Sequence, residues 1–114
     1  MKYTDLVLEV GNSTFHCHKF MLARKSDVFD AMFSHDFSEK HNNKVVIEDL
    51  EAEAVLEMLR FIYLGKVLQM ERVNKSVLFA ADKYNIVDLK GIFDRLPIIL
   101  ILYLNYSSRY VVIS

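Results

Sequence analysis

The spacing of apolar side chains changes its period along residues 6–33. Leu6, Leu8 and Val10 alternate with Val7 and Glu9, and Phe15 and Cys17 alternate with His16 and His18, which predicts two strands with one apolar face each. Between them Gly11-Asn12 supplies residues tolerant of positive φ, so the strands should form a hairpin. Farther on, Val28, Phe29, Met32 and Phe33 recur as the stripe of a helix, placing the switch from strand to helix near His18-Lys19. Ser26 is suited to cap a second helical piece, and Asp27 puts negative charge where the helix dipole is positive. A short helix, a break and a second helix are therefore expected after the hairpin.

Polar residues 34–43 read as a loop, followed by a third strand over Lys44 to Ile47, rich in branched side chains. Glu48, Asp49, Glu51 and Glu53 crowd the start of a helix whose buried face is marked by Val55, Leu59, Ile62 and Tyr63, and Gly65 with Lys66 should end it. A shorter helix, over about 73–84, should bury Val77, Ala80 and Ala81. Asn85 interrupts it, and Ile86, Leu89, Phe93 and Leu96 begin another stripe that Pro97 closes. Residues 1–96 thus form one domain and residues 97–114 an atypical apolar tail. The run Leu96 to Leu104 is about half of the ~20 residues a membrane-spanning helix needs, so this segment should pack back on the domain or promote aggregation.

A chain of 114 residues suffices for one core and is too short for two domains. Hydrophobic residues make up 53% and charged residues 25%, which excludes a disordered tail. The net charge of −1, with no lysine or arginine cluster, gives no electrostatic support for binding nucleic acid or an anionic membrane. A single cysteine permits neither an intramolecular disulfide nor a multi-cysteine zinc module. The first residues carry no apolar run suited to a secretory signal, so an intracellular setting is expected.

Catalytic chemistry finds little footing. Cys17 has histidine neighbours, but adjacent strand residues point to opposite faces, so His16 and His18 project away from a cysteine that shares its face with Phe15. His16 and His18, with His35 or His41, have ligand type for a metal, yet two of the ligands would come from a polar loop. Only three glycines are present and none builds a phosphate-cradling loop; no carboxylate pair is spaced for acid–base work. No enzyme, cofactor or metal is expected.

The run through His18-Lys19, Leu22-Ala23, Ser26 and Val28-Phe29-x-x-Met32-Phe33 resembles the signature of BTB/POZ domains. Tyr3 to Leu8 precedes it, and Val45 to Asp49 and Ala80-Ala81-Asp82-Lys83-Tyr84-x-Ile86-x-x-Leu89-Lys90 follow it. Within that family the speckle-type POZ proteins are most similar, over about residues 3–96. The resemblance implies an α/β (α+β) fold, a small three-stranded sheet flanked by five or six helices, whose work is protein–protein association. It implies a partly buried polar cluster of Asp5, His18 and Lys19, and a homodimer interface that includes Phe20, Met21 and Leu22. The helix that precedes the first strand in speckle-type proteins has no counterpart here, so the dimer should be weak.

The resemblance also implies an adaptor to a cullin-RING ubiquitin ligase. Phe37-Ser38-Glu39 matches a hydrophobic-x-Glu triplet that enters a groove on the cullin, with Phe37 as plug and Glu39 as polar guide. Such a module would serve ubiquitin-dependent degradation in the nucleus or cytoplasm, although nothing in these residues resembles the substrate-capturing MATH domain. The alternative is a dimerisation module that recruits transcriptional co-repressors. A potassium-channel type of tetramerisation domain is disfavoured because many such domains need a zinc site of several cysteines.

Overall fold

A computed structural model describes residues 2–34 and 43–95. Leu6–Val10 forms β1 and Ser13–Cys17 forms β2, paired antiparallel with Leu6 opposite Cys17 and Leu8 opposite Phe15. Gly11 takes a φ of 59° at the turn, the conformation that glycine adopts without steric cost. Helix α1, Lys19–Lys25, and helix α2, Asp27–Ser34, follow with only Ser26 between them. Strand β3, Lys44–Ile47, returns parallel to β1 on its other side, giving the sheet order β2-β1-β3. Placing β1 in the middle covers both of its edges. Its Leu6, Leu8 and Val10 are each no more than 2% exposed.

Three further helices complete the described part: α3, Ala52–Leu64; α4, Lys75–Lys83; and α5, Val87–Arg95. Among the described residues the fold is therefore a three-stranded sheet with five α-helices, in agreement with the architecture expected from sequence. Gly65 caps α3 at φ 77° and donates its N–H to the Phe61 carbonyl at 2.7 Å. Asn74 caps α4 by accepting the Val77 N–H at 3.0 Å. That helix starts at Lys75 because Met70–Arg72 coils into a 3-10 turn before the cap, whereas the sequence reading began the helix two residues earlier. Asn85, at φ 49°, breaks the chain between α4 and α5 as expected.

Helix α3 is buried more broadly than a single stripe. Val55, Leu59 and Ile62 are inside as expected, and Ala54, Met58 and Phe61 join them because α1 and α4 both pack on this helix. Tyr63, by contrast, is only half-buried, with its ring in the protein and its hydroxyl aimed at His18. Phe29 lies at the centre with no exposure, stacked on Tyr84 at 4.3 Å between ring centroids. Phe29 and Tyr84, with Ile86 and Leu89, belong to one continuous apolar core.

Candidate protein-interaction surface

The passage from β2 into α1 is a densely hydrogen-bonded polar region that presents Phe20, in the first turn of α1, to solvent. A helix start leaves backbone N–H groups without partners in the helix. Here two are satisfied from distant parts of the chain. The His18 N–H donates to the Tyr63 hydroxyl at 2.9 Å, and the Lys19 N–H donates to Asp5 Oδ1 at 2.8 Å. His18 is the N-cap but makes no side-chain cap of its own. Asp5 does the work that a serine or aspartate at position 18 would otherwise do, and its charge also suits the helix dipole.

The ring of His18 is held at both nitrogens. Nδ1 is 2.8 Å from the Tyr63 hydroxyl and Nε2 is 2.7 Å from the Lys2 carbonyl. A carbonyl only accepts, so Nε2 carries the proton, and the Tyr63 O–H donates to Nδ1 while accepting the His18 N–H. The Lys19 ammonium donates to Asn43 Oδ1 at 2.9 Å and lies 5.8 Å from the centroid of the Phe33 ring. Asn43 in turn accepts the Val7 N–H through its carbonyl at 2.8 Å, tying the end of the polar segment to β1. The structure thus brings Asp5, His18 and Lys19 together. It adds Tyr63 and Asn43, which the sequence reading did not place there, because partners that arrive from α3 and from the start of β3 leave no local signal.

Cys17 lies directly beneath this cluster at 1% exposure, its Sγ donating to the Phe15 carbonyl at 3.6 Å. Burial, helped by the negative charge of Asp5, pushes its thiol up to about 12. At neutral pH it is a protonated, apolar core group. Burial likewise raises the Tyr63 phenol, which keeps the hydroxyl proton available to His18.

The three α1 residues assigned to a dimer face part company in the fold. Phe20 is 73% exposed, Met21 is half-buried against the core, and Leu22 is fully inside at 0%. Leu22 belongs to the buried core cluster, so in the protomer it supports the face from below. Phe37, Glu39, His35 and His41 lie outside the described residues, as does the tail beyond 96. Among the described residues no three His, Cys, Asp or Glu side chains are grouped to hold a metal ion, and no helix is long and apolar enough to cross a membrane.

A family model of the BTB/POZ domain matches residues 1–95. The chain belongs to the BTB/POZ family. Its fold is similar to that of the BTB domain of zebrafish PATZ1, with a TM-score of 0.67 and 22% sequence identity over 79% of this chain and 71% of that one. The chain is accordingly a protein–protein interaction module, of a family that works by self-association or by binding other proteins.

Proposed function

We propose that this BTB/POZ chain self-associates through α1 and serves as a speckle-type adaptor to a cullin scaffold, acting in ubiquitin-dependent degradation in the nucleus or cytoplasm. The observation that carries self-association is Phe20. Phe20 is 73% exposed on a helix whose first turn is held by Asp5 and Tyr63, so a large apolar group is displayed from a backbone that is already ordered before binding. Support for the cullin contact comes from the sequence, in which Phe37-Ser38-Glu39 resembles the speckle-type triplet between α2 and β3.

Calorimetric titration against a cullin amino-terminal domain tests the adaptor reading. Phe37→Ala should cost on the order of 2 kcal/mol, about thirtyfold in affinity, with Glu39→Ala costing less. Equal affinities for the wild type and Phe37→Ala, or recovery from lysate of co-repressors without cullin, would favour the co-repressor reading instead. Sedimentation tests self-association separately: Phe20→Asp should shift the chain toward monomer, and a wild type that stays monomeric at high concentration refutes the dimer.

A further inference from the structure

An open groove of about 680 Å³ runs between the end of α3 and the face of α5. Its apolar lining comes from Phe61, Val67, Val87 and Ile92, and Gly91 forms part of its wall. Val87 is 62% exposed, whereas Phe61 at the base is nearly buried, so the groove has an apolar floor and an unfilled apolar flank. Its volume falls within the roughly 300–1,000 Å³ typical of binding sites. Lys66 and Asp88 stand at the rim, and Asp88 is engaged by Lys25 at 2.9 Å. The groove therefore offers no strong net charge to a charged partner.

We propose that residues 98–104 of this same chain occupy this groove. Three observations converge on that occupant. The segment reads Ile-Ile-Leu-Ile-Leu-Tyr-Leu, without a charged side chain, which matches the lining in character. The described chain ends at Arg95, on the very helix that builds one wall, so the segment is tethered beside the groove at high effective concentration. The lengths also agree: from Val87 to Arg95 the helix rises by about 12 Å, and extended chain covers about 3.3 Å per residue, so a few residues reach back along α5 and seven can follow its whole length. Burying this run would also remove an aggregation-prone stretch from solvent.

Gly91 makes the idea testable without disturbing the fold. A Cβ built there meets nothing within 4 Å, so the side chain of Gly91→Leu leaves the helix into open space and stands in the groove, and replacing a glycine in a helix interior should not lower stability. Hydrogen exchange on the full chain is the measurement. In the wild type, amides of residues 98–104 should exchange about tenfold or more slowly than in the isolated peptide, independent of protein concentration. Gly91→Leu, and separately Val87→Asp on the exposed flank, should abolish that protection while the amides of α3 and α4 stay protected. Free-peptide exchange in the wild type overturns the proposal. So does protection that both variants retain, which would place the segment elsewhere, and so does protection that appears only as concentration rises, which would make the occupant a second copy.

Discussion

Helices α1 and α2 are consecutive, separated by one residue, and their first turns are satisfied in opposite ways. At α2 the cap is local: Ser26 Oγ accepts the Phe29 N–H at 3.1 Å, three residues along the chain. At α1 the caps come from Asp5 and Tyr63, 14 and 45 residues away. A local cap stabilises its helix wherever the helix lies, whereas a distant one exists only when hairpin, α1 and α3 are assembled. The α1 start therefore works as a lock that joins three elements and sets the attitude of Phe20. Ser26 adds a tertiary role of its own, because its hydroxyl also donates to the Tyr84 carbonyl in the buried centre.

The largest expected effect belongs to the residue that combines both modes. Ser26→Ala should destabilise the domain by about 2–3 kcal/mol in chemical denaturation, since it removes a helix cap and leaves the buried Tyr84 carbonyl unpaired. Gly at 26 should not restore it. A loss no greater than that of an exposed cap would show that the bond to Tyr84 contributes nothing.

Next comes the distant lock. Tyr63→Phe keeps the ring and deletes only the hydroxyl, leaving the His18 N–H and Nδ1 without their partner, for about 1–2 kcal/mol. The sharper readout is local: the His18 amide should lose hydrogen-exchange protection while the Phe29 amide keeps it. Equal losses at both amides would mean that the two helix starts open as one unit and that the contrast between them is false. Dimer affinity should fall with Tyr63→Phe as well, because the base of Phe20 is loosened.

A purely local cap supplies the reference. Asn74→Ala, at the start of α4, should cost about 1 kcal/mol, without altering exchange at α1. The smallest effect is that of Asp49, an exposed carboxylate that Lys83 holds below its usual range, chiefly through a side-chain hydrogen bond. A lowered carboxylate favours the folded state above its unfolded pKa, and that contribution is lost as pH falls through the lower folded value. Asp49→Asn should abolish a shallow acid-side slope in stability, and moderate salt should erase the difference from wild type.

Cys17 reports on the same lock from beneath. With its thiol near 12, native alkylation at pH 8 should proceed only through opening, so the labelling rate should rise in Tyr63→Phe and remain at the wild-type value in Asn74→Ala. For this acid the raised value means that the folded state holds a proton the unfolded thiol gives up above about 9. Stability should accordingly decline as pH rises from there toward 12. Labelling as fast as that of a free thiol would place Cys17 at the surface and remove the floor of the cluster.

Local chemistry was legible along the chain. The alternation of Leu6, Leu8 and Val10, the turn at Gly11, the break at Ser26, the αL residues Gly65 and Asn85 and the small buried pair Ala80-Ala81 all follow from steric preferences and periodicities a few residues long. The resemblance that led to the family lay in those same positions. Other features were decided only by assembly. Met58 and Phe61 are buried because α3 is packed by helices on two sides, which a single-stripe reading does not anticipate. The parallel pairing of β3 with β1 depends on where α1 and α2 return the chain. Leu22 and Phe20 are both apolar and two residues apart, yet one has no exposure and the other 73%, because hydrophobicity states a preference for burial while the direction of α1 selects which side chain receives it. Asp5, His18, Lys19 and Tyr63 show the same division: sequence supplies donors and acceptors, and only the packed hairpin, α1 and α3 bring Tyr63 within 3 Å of His18 and Asp5 within 3 Å of the Lys19 N–H.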